Sequence, residues 1–361
     1  MENSSEGLLY PTESPIPQVM VDLAAALVGT GPALAFGTIS TKQVPEQVAL
    51  VVSTSGSTGG SKEVGITAKA LLASARSSNK FLNAKFGQVW SLLLPLSHVA
   101  GVNVLVRSLE LGTTPIDLRE ANEFLKADFT AIVPTQLFRA LNGDDRLLEH
   151  LKNCQAVLVG GAALPAGLSD QAKSQGINIV TTYGMTETCG GCVYDGIALD
   201  GVEVKTENEM IKIKGPTLAF SYLNDEEAWK KCFVDGWFET SDRGEVVDGK
   251  LKVFGRADDV IISGGEKISL SAIGTALQSQ FPNSVIAAFA VPDVEWGNAL
   301  HIAIAGEHAE STQEVTSYLE RTLGVVAKPK GFLILSELPM MGIGKVDQQA
   351  LAQEVMKRKA L

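Results

Sequence analysis

Short apolar runs with strand character, Val48–Val52, Trp90–Leu94, Ala156–Val159 and Ile177–Thr181, alternate in the first half of the chain with helix-period segments such as Thr67–Phe81. No other feature constrains the fold as much, because strands joined through helices pair in parallel and are covered by helices. The fold expected is α/β, with a large layered N-terminal domain. From about Glu203 the texture changes to short strands with polar alternation, EMIKIKG and GKLKVFGR, which predicts an antiparallel β appendage. Beyond Arg256 the pattern is helix (Leu270–Phe281), strand (Val285–Val291), strand (Leu300–Ala305), helix (Thr312–Leu323), strand (Phe332–Leu335) and helix (Val346–Lys357). The expected division is therefore residues 1–256, then a small α+β domain at 257–361. Residues 1–17, with prolines and scattered polar groups, read as an irregular lead-in.

Charge and cysteine usage narrow the function classes. Thirty basic against forty-one acidic residues give a net charge of -11 over 361 residues, so no basic footprint for nucleic acid or anionic membrane is expected. Cys154, Cys189, Cys192 and Cys232 are too sparse for a disulfide framework. The early apolar stretch Val19–Val28 is too short to span a bilayer, contains Asp22 and follows no basic region. The expectation is a cytoplasmic protein without stable membrane insertion, holding any phosphate ligand locally.

Directly after the run VALVV stands STSGSTGGSKEV, Ser53–Val64. Glycine-rich backbone lets consecutive N–H groups converge on an anion, with Lys62 supplying charge; an ordinary surface turn has the same composition. The P-loop pattern GxxxxGK[ST] fails, since Ser61 stands where glycine is required and Glu63 where Ser or Thr would bind magnesium. GxGxxG fails as well. On these residues alone, phosphate grip and flexible turn both stay open.

An ordered series of motifs then resembles the adenylate-forming superfamily of acyl-CoA synthetases, luciferases and adenylation domains. SGSTGGSKEV resembles its phosphate loop, PLSHVAG (Pro95–Gly101) its PxxH segment, GGAAL (Gly160–Leu164) its adenine-side turn and YGMTET (Tyr183–Thr188) its YGxTE signature. WFETSDRG carries the ribose-binding aspartate as Asp242, GRADDVIISGGEKIS resembles the hinge motif, and PMMGIGK ends in the late lysine, Lys345. This resemblance covers most of the chain. It implies two steps: a carboxylate attacks the α-phosphate of ATP, and the thiol of coenzyme A then displaces AMP.

The resemblance also distributes roles. Ser55, Gly56, Ser57, Thr58, Gly59 and Lys62 would hold the β and γ phosphates; Gly160, Gly161, Ala162, Tyr183 and Gly184 would hold adenine. Asp242 and Arg256 would reach the ribose or phosphate. Thr186 would donate to the α-phosphate, Glu187 would coordinate Mg2+ as a hard oxygen ligand, and Lys345 would neutralise the α-phosphate during adenylation. The small domain would turn about Asp258 and bring Gly264 and Gly265 against the pantetheine arm. Methionine precedes GIGK where many relatives carry Arg-Thr. Cys189 and Cys192 form a CGGC run, read as packing because no second ligand pair completes a metal set.

TETCGGCVYDG and PLSHVAGVNVLVRSL together resemble the o-succinylbenzoate-CoA ligases of menaquinone synthesis. There an arginine nine positions after the motif histidine lies near the substrate, and Arg107 stands nine after His98. A dicarboxylate suits this, since the carboxylate that does not react needs a cation. His98 would shape the acyl pocket or serve as a structural histidine. Another carboxylate substrate and a non-catalytic adenylate-binding role are the alternatives. The superfamily usually carries a long N-terminal subdomain ahead of the phosphate loop, so a compact ligase and a homodimer shielding that face both fit.

Overall fold

The computed structural model describes residues 5–11, 14–55, 61–121, 123–257, 259–263, 265–281, 284–306, 311–341 and 345–359. The chain divides into two compact units, one of residues 1–161, 172–240 and 245–252, the other of 162–171, 241–244 and 253–361.

In the first unit a seven-stranded sheet has the order Ile197–Ala198, Gly190–Tyr194, Ile179–Met185, Ala156–Val159, Phe129–Ile132, Trp90–Leu92 and Ile116–Asp117. The last five of these run parallel, and every residue of Phe129–Ile132 and Ala156–Val159 is buried, as a sheet covered on both faces requires. From Trp90–Leu92 the chain passes through helix Val99–Glu110 to Ile116–Asp117 on one side, and its next strand, Phe129–Ile132, falls on the other side. Such a reversal opens a crevice beyond the carboxyl ends of the strands, where open α/β sheets bind ligands.

A six-stranded sheet is built around the hairpin Val48–Ser55 and Ser61–Thr67, whose pairing reaches Ser55 opposite Ser61. The lead-in is more ordered than its composition suggests. Ser5–Leu9 is a strand parallel to Ala33–Phe36, and Pro15 caps a helix at Ile16–Leu27. Neither Ala33–Phe36 nor Phe129–Ile132 was expected as a strand; long-range pairing defines them. Helix Ala68–Phe81 starts at Thr67, whose side chain accepts from the Ala70 amide, and packs on Val99–Glu110. Its buried serines face elsewhere: the Ser74 hydroxyl donates to the Cys189 carbonyl and the Ser78 hydroxyl bonds the Tyr194 hydroxyl. Val99–Glu110 is buried from Val99 to Ser108 save Ala100, so Asn103, Arg107 and Ser108 lie inside the protein.

The antiparallel appendage forms from Glu203–Glu207, Met210–Lys214 and the start of Trp237–Val247, with the Thr240 hydroxyl donating to the Ile211 carbonyl. In the second unit Glu266–Ser269, Val260–Ser263, Gly297–Ala305 and Val285–Asp293 are neighbours in that order, and Gly331–Leu335 joins Gly297–Ala305 in parallel. Alternation along these strands makes two cores. Ala288, Leu300, Ile302 and Ile304 pack with helices Leu270–Gln280 and Thr312–Leu323, whereas Ala287, Phe289, Val291 and Ala303 pack with Gln348–Lys359. No described helix is long and apolar enough to cross a membrane.

Candidate active site

Glu187 stands just beyond the parallel strand Ile179–Met185, in the short 3-10 turn Thr186–Thr188. The turn is fixed from inside. The Met185 amide donates to the Thr188 hydroxyl at 2.9 Å, and Cys189 ends the turn in the left-handed region with φ 56°. The Cys189 carbonyl accepts from Asn103 Nδ2 at 2.7 Å and from the Ser74 hydroxyl at 3.1 Å, tying the turn to both central helices. Cys189 and Cys192 are fully buried, and burial pushes both thiols up to about 12, so CGGC here is a packing element. Gly184 is required by close approach: a Cβ there would lie 2.0 Å from the Gly190 carbonyl oxygen, on the neighbouring strand.

The Glu187 carboxylate is half-buried and accepts from the Tyr222 hydroxyl at 2.7 Å. Burial, and after it the charge of Glu187, raises the pKa of the Tyr222 phenol from its ordinary value, so the phenol stays a donor. Lys62 sits with Nζ 4.3 Å from the centre of the same ring. The lysine expected at the phosphates thus begins one strand from the carboxylate expected at the metal.

Glu63, beside it, points the other way. It is 2% exposed, and its carboxylate accepts from the Ser40 amide and hydroxyl, both at 2.6 Å, and from the Thr41 amide at 3.1 Å. Burial opposes ionisation, but these donors outweigh it and lower the carboxyl pKa. Asn224 completes the clamp, accepting from the Glu63 amide and donating to the Ser61 carbonyl. The base of the glycine-rich hairpin is thereby pinned. Gly56, Ser57, Thr58 and Gly59 lie outside the described residues, as does the Ser55 side chain.

Gly160, Gly161, Tyr183, Thr186 and His98 gather at the same carboxyl edge of the sheet, whereas Arg107, in the last turn of helix Val99–Glu110, lies against Trp90 at the amino end of its strand. Gly160 and Gly161 follow strand Ala156–Val159, and a Cβ on Gly160 would meet Thr182 Oγ1 at 2.1 Å. Tyr183 and Thr186 are half-buried there. His98 caps helix Val99–Glu110 without a side-chain cap bond; its ring is exposed yet backed by protein, and that partial desolvation lowers the imidazole pKa. Arg107 is 3% exposed, donates from Nη2 to the Tyr194 hydroxyl at 3.1 Å and lies 5.0 Å from the Trp90 ring centre. Arg107 Nε and Trp90 Nε1 are buried with no hydrogen-bond partner among the described residues.

The second unit holds Ala162, Asp242, Arg256, Gly265 and Lys345. The Ala257 amide donates to the Ser241 carbonyl at 2.7 Å, which sets Asp242 and Arg256 side by side on neighbouring strands. Gly265 adopts φ 87°, and Lys345 begins a short strand paired with Met341. Asp258 and Gly264, with the Lys345 side chain, lie outside the described residues. Tyr222, Glu63, Asn103 and Tyr194 were not anticipated as site residues. Only their tertiary partners mark them.

The donor set suits magnesium better than a transition metal. Among the described residues no group of three or more His, Cys, Asp or Glu side chains could hold a metal, and Glu187 is the single hard oxygen donor expected for one. Magnesium takes one or two carboxylates and completes its shell with phosphates and water.

A parallel sheet with a switch point, a glycine-rich hairpin and an acidic turn at its carboxyl edge define a nucleotide-using α/β enzyme. The chain belongs to the AMP-binding enzyme family, whose model matches residues 10–220. It is 36% identical over 333 residues to a probable 2-succinylbenzoate–CoA ligase of Mycobacterium tuberculosis, covering 86% of each chain. It is 32% identical to the 2-succinylbenzoate–CoA ligase of Escherichia coli, covering 87% of this chain and 71% of that one. The fold is shared with o-succinylbenzoate coenzyme A synthetase (MenE) from Bacillus subtilis in complex with ATP and magnesium, at TM-score 0.76 and 24% identity over 95% of this chain and 83% of that one.

Proposed function

We propose that this protein joins o-succinylbenzoate to coenzyme A at the expense of ATP, through an acyl adenylate, as a cytoplasmic step of menaquinone synthesis. The observation that carries the choice of acid is Arg107. A buried guanidinium beside the Tyr194 hydroxyl, with its Nε and the Trp90 indole N–H left without a partner among the described residues, favours an anionic acceptor, since a buried charge without a counter-charge is costly. The second carboxylate of a dicarboxylate supplies one.

In this reading Glu187 holds Mg2+, which neutralises phosphate charge when bound. Thr186 donates to the α-phosphate, and the hairpin carrying Lys62 encloses the terminal phosphates. Gly160, Gly161, Ala162, Tyr183 and Gly184 form the adenine seat, and Asp242 with Arg256 takes the ribose. Lys345 brings the cation that offsets charge as the acid attacks phosphorus, and pyrophosphate leaves. The unit bearing it then turns about Asp258 and presents Gly264 and Gly265 to the pantetheine arm, whose thiolate displaces AMP. A homodimer is compatible with this scheme and is not needed by it.

With ATP, Mg2+ and o-succinylbenzoate the protein is expected to release pyrophosphate, and to make the thioester when coenzyme A is added. Arg107→Leu should raise KM for the acid at least tenfold while leaving KM for ATP within about twofold, a buried charged contact being worth about 1.5–3 kcal/mol. Turnover of benzoate or a fatty acid but not of o-succinylbenzoate sinks the substrate assignment.

A further inference from the structure

Segment 219–224 stitches the acidic turn to the hairpin. The Ala219 amide donates to the Glu187 carbonyl, the Phe220 amide to Gly65, and the Leu223 amide to Glu63, each at 2.8 Å. Between them Tyr222 pairs with Val64 across the sheet and is 2% exposed. Its ring is seated edge-on against Trp229 at 5.2 Å, and Trp229 in turn stacks with Phe233 and Phe238. A ring so held has little rotational freedom, so its hydroxyl sits at a fixed point. That point is 2.7 Å from Glu187 Oε1.

We propose that Tyr222 is a positioning residue for adenylation: its hydroxyl orders the Glu187 carboxylate for magnesium, while its ring face seats Lys62 on the strand leaving the phosphate hairpin. The proposal rests on Glu187 being the metal ligand. A glutamate at the surface has several rotamers, and ordering it before the metal arrives removes that cost from binding. One oxygen is occupied by the phenol, and the other keeps its lone pairs for a cation. Partners that orient a ligating carboxylate typically matter by 10- to 100-fold in metal affinity. Lys62 on the opposite partner makes the ring a junction between the phosphate side and the metal side, by a cation–π contact.

The test compares wild type with Tyr222→Phe, which keeps the ring and its seat on Trp229. Mn2+ binding to the protein with a non-hydrolysable ATP analogue is followed by electron paramagnetic resonance, alongside the Mg2+ dependence of pyrophosphate release. Expected are a Mn2+ Kd and a half-saturating Mg2+ concentration each raised about 10- to 100-fold, with kcat approached again at high Mg2+ and Tm close to wild type. In a Glu187→Gln background the same Tyr222→Phe change should add less than twofold. A lowered kcat at unchanged metal affinity overturns the proposal. Where Tyr222→Phe does not fold, 4-aminophenylalanine and 4-methylphenylalanine in place of Tyr222 fill the same space with and without a donor; equal Mn2+ affinity in the two overturns it. Wild-type protein that binds neither Mn2+ nor the analogue overturns the parent reading, and the proposal with it.

Discussion

Glu63 illustrates how a residue can fail one motif and serve another purpose. At the place where a P-loop would put Ser or Thr on magnesium, it turns inward and ties the hairpin base to Ser40 and Thr41. Its folded-state pKa is depressed below an unfolded value near 4.5. Its contribution to stability is therefore fully present above that value and is lost as pH falls through the folded pKa. Glu63→Gln should cost about 1.5–3 kcal/mol at pH 7, the range for hydrogen bonds to charged groups. Denaturant melts should show that gap narrowing below about pH 4.5. A gap that stays constant down to strongly acid pH would assign the loss to shape and not to charge. Sequence pointed to this stretch, yet it gave no sign that Lys62 and Glu63 part company across the strand.

At the scale of elements, two glycines of the proposed adenine seat make a matched pair. Gly160 and Gly184 are both too close to a neighbour for a Cβ, at 2.1 and 2.0 Å. The neighbour differs: for Gly160 it is the Thr182 hydroxyl, which can rotate, and for Gly184 it is the backbone carbonyl of Gly190. Gly184→Ala must force apart the strands Ile179–Met185 and Gly190–Tyr194, costing about 1–3 kcal/mol and displacing Thr186 and Glu187 with them. Gly160→Ala should be milder in Tm and in kcat. The reverse order would mean that the strand pair gives way more easily than the threonine.

The molecule as a whole sets Lys345 and Glu187 in different compact units. In the proposed scheme Lys345 serves adenylation and takes no part in thioester formation. Lys345→Ala should reduce pyrophosphate release at least 100-fold, a loss on the order of 3 kcal/mol by transition-state arithmetic. Thioester formation from supplied acyl adenylate should change less than threefold. Equal loss in both half-reactions, measured by rapid quench, would contradict the swinging-domain scheme.

The sequence by itself determined the layered α/β class, the antiparallel appendage and the order of the motifs. These depend on local period and on residue type, which are written along the chain. It also singled out His98, Arg107, Gly160, Tyr183 and Glu187, because each falls in a motif that resembles those of the adenylate-forming superfamily. Tertiary structure alone decided that Tyr222, 35 positions from Glu187, donates to it, and that the Tyr194 hydroxyl accepts a hydrogen bond from Arg107, 87 positions away. Such contacts come from which strands pair and which helices lie between the sheets. Pairing over long separations leaves no periodic trace in either partner, and a four-residue strand such as Phe129–Ile132 is defined by its neighbours more than by its own side chains.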